Sequence, residues 1–328
     1  MDGSQLRAHT ASPATARPTG VPADGARSAA VRPAGPRSAT TRPAGKRRRR
    51  SPGWVPNQHG AWAMVIVPAL AGVLLSGPSW RHVPLLGLWW VGYFAFFATG
   101  LWLRSRRKAR YWPPVRAYGL AMVPFAGALV LTSPHLVVWA VPFAPLVATT
   151  VWCSMNRRDR TLLNDLVTVV AAGLMTAVAY DAGVQGAGGV WGTGLLAGSG
   201  WWGTSTAEAT ASASVDGDLV GWAWVWLVTA LITAYFVGTI LYVKTNIRER
   251  DSTGYLVASV AYHAAWSVFG VALAAAGPLR WSHAALWLVL LARAWVVPLV
   301  NRRHRVTPMQ LGIGEIVASV IVMVTLLR

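Results

Sequence analysis

Nine apolar segments fill most of the sequence from residue 60 onward, and they constrain the fold more than any other feature. Each has 15 to 25 residues, and polar or glycine-rich connections separate them. An α-helix needs about 20 apolar residues to cross a bilayer. Because unpaired backbone groups are costly in lipid, we expect every segment to form a helix. The predicted spans are 60–77, 83–103, 117–132, 135–155, 166–183, 219–243, 255–276, 282–300 and 313–327.

The charge content supports a membrane protein over a soluble one. Charged residues make up 12% of the 328 residues, whereas a soluble chain carries about a quarter. Cys153 is the single cysteine, so an intramolecular disulfide is excluded. We therefore predict an all-α, polytopic membrane helical bundle with nine transmembrane helices. The third and last spans are short, and we expect them to tilt, kink or extend into the interface.

The first 53 residues have a different composition. They are rich in Ala, Pro, Arg, Ser and Thr, have almost no large apolar residue, and end in a Lys-Arg-Arg-Arg-Arg run at 46–50. Such a segment cannot bury enough surface to offset its chain entropy. We predict a disordered basic tail at 1–53 and a transmembrane domain at 54–328. The basic run is best interpreted as a flank that keeps the N-terminus cytoplasmic, and contact with anionic lipid is the alternative.

The distribution of basic residues predicts an orientation. If the N-terminus is cytoplasmic, fifteen Lys and Arg fall in the inner connections and three fall outside. The positive-inside rule therefore favours N-in/C-out insertion, in the plasma membrane. It also accounts for the net charge of +19, so we expect no nucleic-acid partner. The connection 184–218 has no basic residue and is predicted to be extracytoplasmic. The inner connections are 104–116, 156–165, 244–254 and 301–312.

A polar motif stands directly before the first span. Pro-Asn-Gln-His-Gly-Ala-Trp at 56–62 places two amides and an imidazole at the membrane entry. Interfacial anchoring by Trp and polar side chains is the simpler interpretation. The motif also resembles the opening of the YwiC-like integral membrane family, and a looser similarity extends from Pro56 to the C-terminus. The resemblance implies a class of membrane protein and leaves its activity open.

Arg293 and Glu315 are ionisable residues that lie inside predicted spans. Arg293 precedes Arg302 by nine residues, about 13 Å along a helix, and Glu315 lies close to the start of the last span. A charge within lipid is costly unless it is paired, and such residues are candidates for function. A structural ion pair between Arg293 and Glu315 would satisfy both.

The connection between the sixth and seventh spans is the most polar one. Residues 244–251 contain an amide, two carboxylates and three cations. Carboxylates bind Mg²⁺, while Arg and Lys neutralise phosphate oxygens. An ordinary solvated loop is the alternative interpretation.

The helix count, the orientation and this loop together resemble UbiA-type prenyltransferases. That resemblance implies that Asn246, Glu249 and Asp251 bind Mg²⁺ and that an isoprenyl diphosphate binds beside them. The sequence departs from the family at 98–116, where a first acidic motif is expected and no carboxylate is present. The resemblance therefore supports the scaffold better than the activity.

We predict a polar pocket at the cytoplasmic side that binds a prenyl or lipid phosphate, and we leave open whether the protein is a transferase or a non-catalytic relative. His59 is the candidate for orienting substrate or moving a proton. Proline and glycine within the spans suggest a transporter or lipid-binding permease as an alternative, and a membrane scaffold is a third. The candidates for phosphate binding are Asn57, Gln58, Arg104, Arg107, Arg157, Lys244, Arg248 and Arg293.

Overall fold

The computed structural model describes residues 53–56, 61–200 and 219–327. These residues form nine α-helices and contain no strand, which confirms the predicted all-α membrane bundle. Short 3₁₀ turns lie at Ala109–Tyr111, Pro134–Trp139 and Val190–Gly192. The helices are α1 (Ala61–Ser76), α2 (His82–Arg104), α3 (Trp112–Thr132), α4 (Ala140–Met155), α5 (Leu162–Val184), α6 (Gly221–Ile247), α7 (Thr253–Ala275), α8 (Trp281–Arg303) and α9 (Pro308–Leu327).

Eight apolar helical segments of the described chain are long enough to cross a membrane, and α1, with 16 residues, is shorter. The two spans that looked short in the sequence belong to longer helices. Helix α3 begins at Trp112 and α9 begins at Pro308. Both have proline in the first turn, where the missing N–H has no helical partner to lose. Both helix starts lie outside the apolar segments 117–132 and 313–327, so hydropathy did not include them.

Helix α6 is also longer than predicted. It continues to Ile247, four residues beyond the predicted end of the span, so Lys244 and Asn246 lie in its last turns. The connection to α7 is therefore short, and the Ser252 hydroxyl caps α7 by accepting from the Tyr255 N–H at 3.4 Å. The polar residues remain helical because their side chains find partners on other elements.

Prolines do not break the helices. Pro68, Pro124, Pro145 and Pro298 each lie inside a helix that continues on both sides. Membrane helices tolerate proline because neighbouring groups satisfy the freed backbone carbonyl. The discontinuous helices that suggested a transporter are therefore not seen at these positions.

Helix α6 lies at the centre of the bundle, with Val225, Val228 and Leu231 fully buried. It packs against α5, α7 and α9, while α1 packs on α5, α2 on α3, and α7 on α8. Helices α1 and α5 approach very closely, since a Cβ at Gly72 would lie 2.1 Å from the Thr176 carbonyl oxygen. Small residues commonly permit such close packing between membrane helices.

Successive helices run in alternating directions, which gives the bundle two distinct ends. The C-termini of α2, α4, α6 and α8 share one end, which we call the basic end, with the N-termini of the helices that follow them. There, Lys244 of α6 pairs with Asp165 of α5 at 2.8 Å. At the opposite end, His283 of α8 is hydrogen-bonded to Thr325 of α9 at 2.8 Å. The four basic connections identified in the sequence lie at the basic end.

Candidate functional site

Helices α2 and α4 are both followed by arginines with left-handed backbone conformation. The φ angles of Arg106, Arg107 and Arg157 are 60°, 59° and 56°. The Arg107 N–H donates to the Trp102 carbonyl at 2.9 Å, as in a Schellman helix end. Glycine or asparagine usually occupies such positions, and another residue costs on the order of 1–3 kcal/mol. Arginine at these strained positions is consistent with a function for the side chain.

Arg104, Arg107 and Arg157 present their charges at the basic end, and we call them the basic rim. Arg104 lies 3.7 Å from the Asp159 carboxylate and keeps 38% of its side-chain surface exposed. The Ser154 hydroxyl donates to the same carboxylate at 2.7 Å. Arg107 and Arg157 are exposed. The rim therefore combines one partly paired guanidinium with two accessible ones.

Lys244 has a different environment from the rim. Its side chain is 8% exposed, pairs with Asp165 at 2.8 Å and donates to the Arg160 carbonyl at 3.4 Å. The charge is already compensated, and the contact ties α6 to the connection between α4 and α5. Arg248, one turn further along, is exposed.

Asn246 is buried and engaged in a contact with α8. Its amide donates to the Tyr242 carbonyl at 2.8 Å, and the Asn301 amide donates to its Oδ1 at 3.2 Å and its backbone carbonyl at 2.8 Å. Glu249 is partly buried and Asp251 is exposed. Within the described ranges, no group of three His, Cys, Asp or Glu side chains could hold a metal. Mg²⁺ binding by Asn246, Glu249 and Asp251 stays a prediction.

Asn57, Gln58 and His59 lie outside the described residues. The chain resumes at Ala61, the first residue of α1, and Ala61 lines a cavity.

Residues of five helices, α1 to α5, line this cavity, which has a volume of about 410 Å³ and is almost entirely apolar. We call it the chain cavity. Along α2 its wall runs from Leu85 to Phe96, about 16 Å at 1.5 Å per residue. A space this long and apolar fits a hydrocarbon chain. Its polar lining side chains include Tyr93, Thr150 and Thr168.

Arg293 lies in the bundle interior, away from the rim. It pairs with Glu315 at 2.5 Å, which confirms the ion pair expected from the sequence. The second carboxylate oxygen of Glu315 accepts from the Tyr235 hydroxyl at 3.0 Å and the Thr239 hydroxyl at 2.7 Å. The Arg293 guanidinium also lies 4.2 Å from the Tyr242 ring centroid. These five residues form what we call the interior centre.

A buried acidic residue at the opposite end was not among the predicted site residues. The Asp181 side chain is fully buried, and one oxygen accepts from the Trp139 indole N–H at 2.7 Å. His135 Nε2 lies 3.8 Å from the other oxygen. A carboxylate inside the apolar segment 166–183 was a signal that could have identified it. Tyr235 and Thr239 gave no such signal, since similar side chains occur in many spans.

A helical bundle with eight membrane-length apolar segments and internal charges held in pairs defines a polytopic membrane protein. Over residues 55–180 the chain matches a sequence model of the family described as YwiC-like protein. It is 30% identical over 213 residues to the uncharacterized protein YwiC of Bacillus subtilis (strain 168), a match covering 64% of this chain and 73% of that protein. The chain belongs to the YwiC-like family.

A second relative is more distant. An uncharacterized protein of Haemophilus influenzae is 26% identical over 215 residues, which covers 64% of this chain and 74% of the relative. No solved structure matches the chain. The comparisons establish the family.

Proposed function

We propose that the protein binds a phosphate-bearing lipid, such as a prenyl phosphate, with the hydrocarbon chain in the chain cavity and the phosphate at the basic rim. The observation that carries this proposal is the long apolar cavity lined by helices α1 to α5, whose lining residues include Ala61 at the start of α1. Arg104, Arg107 and Arg157 supply the cations at the same end of the bundle.

The headgroup contacts provide most of the affinity. A lipid tail that moves from the bilayer into the chain cavity exchanges one apolar environment for another, so hydrophobic transfer contributes little. Arginine–phosphate hydrogen bonds are charge-assisted and contribute about 1.5–3 kcal/mol each. The chain cavity therefore selects a hydrocarbon chain by its shape, and the basic rim selects the phosphate group.

We place the basic end at the cytoplasmic face of the plasma membrane. The fifteen basic residues of the predicted inner connections, against three outside, support this orientation. The ligand would enter from the inner leaflet, and Asn57, Gln58 and His59 are the candidates from the sequence for further contacts to its headgroup. His59 is the candidate for orienting the phosphate or moving a proton.

Binding without transfer is the simplest function that the residues support. Asn246 already contacts Asn301, and the sequence 98–116 offers no carboxylate. A UbiA-like transferase activity would need Mg²⁺ held by Glu249 and Asp251 with few further ligands. Titrations with and without Mg²⁺ test this possibility directly.

The test uses the full chain in lipid nanodiscs, titrated with geranylgeranyl phosphate and with the diphosphate, with and without Mg²⁺. Gly92 lines the chain cavity, and a Cβ there would meet only Met122, at 3.7 Å. Gly92→Leu should therefore fill the cavity and weaken binding by about tenfold or more. Gly127→Leu is the matched control, since no heavy atom of the described residues lies within 4 Å of a Cβ at that α3 position.

Saturable binding that Gly92→Leu weakens and Gly127→Leu leaves intact supports the proposal. A lack of saturable binding by the unmodified protein, in all four conditions, overturns it. Equal effects of Gly92→Leu and Gly127→Leu on binding would show that the ligand does not occupy the chain cavity. Mg²⁺-dependent release of diphosphate in the presence of an acceptor would instead support transferase activity.

A further inference from the structure

The interior centre contains hydrogen-bond donors that Glu315 does not use. Arg293 Nη1 pairs with one carboxylate oxygen, and Tyr235 and Thr239 donate to the other. Arg293 Nε and Nη2 are buried and have no hydrogen-bond partner in the part of the chain that the structure describes. A buried donor without a partner is costly, and more so when it is charged. Both carboxylate oxygens accept hydrogen bonds, while one edge of the guanidinium is unused.

A second cavity adjoins this centre. It has a volume of about 650 Å³, lies between α8 and α9, and is lined by Arg293, Tyr242 and Glu315 together with mostly aliphatic side chains. Along α9 its wall runs from Gln310 to Ile321, about 16 Å. We call it the α8–α9 cavity. It shares no lining residue with the chain cavity.

We propose that the α8–α9 cavity binds a long-chain carboxylic acid, whose carboxylate accepts hydrogen bonds from Nε and Nη2 of Arg293. These two donors form a planar fork that matches a carboxylate in bidentate geometry. Both nitrogens are covered by protein in the structure. A neighbouring side chain therefore moves when the acid enters, and Tyr242 is placed to do so because its ring stacks on the guanidinium and lines the cavity.

The charges of the interior centre favour an acid that arrives protonated from the lipid. The O–H bond of the acid breaks, its proton forms a new O–H bond on Glu315, and the resulting carboxylate pairs with Arg293. The centre has no net charge before or after this transfer, so no uncompensated charge enters the low-dielectric interior. A phosphate ester, which stays ionised, would add a negative charge.

The groups around Glu315 are compatible with this transfer. The Tyr235 and Thr239 hydroxyls can accept as well as donate, so they remain partners of a protonated carboxyl group. The other titratable or charged groups facing the centre are Tyr242, Arg293 and His263, whose Nδ1 is hydrogen-bonded to the Ser259 carbonyl. Helix α1, which also packs on α9, carries no titratable side chain. Among the described residues, Glu315 is the carboxylate at the interior centre.

The binding test titrates the full chain in nanodiscs with cis-parinaric acid, a fluorescent long-chain acid. Arg293→Gln should weaken binding about 100-fold or more, because two charge-assisted hydrogen bonds are lost. Arg302→Gln, at an exposed position on the same helix, should leave binding unchanged. Because Arg293→Gln leaves Glu315 unpaired, Arg293→Gln/Glu315→Gln is measured as well. The double variant should fold, and it should bind parinaric acid as weakly as Arg293→Gln does.

The proton test measures the enthalpy of binding in two buffers that differ in ionisation enthalpy, at one pH that is high enough for the added acid to be ionised. The unmodified protein should take up about one proton per bound carboxylate, and Glu315→Gln should bind without this uptake. Equal affinity of the double variant and the unmodified protein overturns the proposal, as does equal proton uptake with Gln at 315. Displacement of the probe by geranylgeranyl phosphate and not by oleic acid would also overturn it.

This inference is independent of the proposed lipid-phosphate function. Gly92→Leu, which fills the chain cavity, should leave parinaric acid binding unchanged. Arg293→Gln/Glu315→Gln should leave geranylgeranyl phosphate binding unchanged. Each proposal can therefore fail while the other stands.

Discussion

Arg293 and Glu315 form an ion pair inside the bundle, with a distance of 2.5 Å between the guanidinium and the carboxylate. Their side chains are 18% and 7% exposed. Tyr235 and Thr239 bring α6 into the same contact, so three helices meet at one carboxylate. Lipid provides little hydrophobic force between helices, and polar contacts of this kind help to fix their arrangement.

Removing one member of this pair should destabilise the protein more than removing both. Arg293→Leu leaves a buried carboxylate without its cation, which costs about 3–5 kcal/mol. Arg293→Leu/Glu315→Leu should recover most of this loss. Reversible unfolding in mixed micelles, read as a double-mutant cycle, measures the coupling. Additive losses from the two single changes would show that the pair contributes no coupling energy.

Arg157→Gly should stabilise the protein and weaken lipid-phosphate binding. Arg157 adopts a φ of 56°, which glycine adopts freely and which costs another residue about 1 kcal/mol. The same change removes a cation of the basic rim. Thermal unfolding and the geranylgeranyl phosphate titration measure the two effects. Arg158→Gly removes the adjacent exposed charge without relieving a left-handed residue, so it should not raise the melting temperature.

Alanine at two glycines should have opposite effects on stability. A Cβ at Gly72 would lie 2.1 Å from the Thr176 backbone oxygen, so Gly72→Ala should separate α1 from α5 and cost about 1–3 kcal/mol. Gly119 on α3 has open space around it, and Gly119→Ala should be neutral or stabilise by up to about 1 kcal/mol. Similar melting temperatures for the two variants would contradict the close α1–α5 contact.

Thiol labelling in intact cells should show the basic end to be cytoplasmic. Arg248→Cys, at the basic end, should react with a membrane-impermeant thiol reagent only after lysis. Arg280→Cys, at the opposite end, should react in intact cells. Both positions are exposed, and the native Cys153 is fully buried, so the background should be low. The reverse pattern would invert the proposed orientation.

The interior pair could be predicted because position and chemistry left few choices. Arg293 and Glu315 are ionisable residues within apolar segments, and two such charges at similar depth are expected to find each other. The helical conformation of Lys244 and Asn246 was more difficult to predict, because these residues follow an apolar segment directly. Whether such residues begin a loop or extend a helix depends on partners such as Asp165 and Asn301, which lie far away in sequence.

The sequence by itself determined that this protein is a membrane bundle of helices, since lipid forces apolar segments of this length to satisfy their backbone hydrogen bonds internally. It also determined where most of the helices lie. The tertiary structure alone decided that helices α1 to α5 enclose the chain cavity and that Arg293 keeps two donors unused beside a second cavity. Cavities and unpaired donors arise from how helices pack against one another. The hydropathy of a segment does not indicate which face of a helix contacts which neighbour.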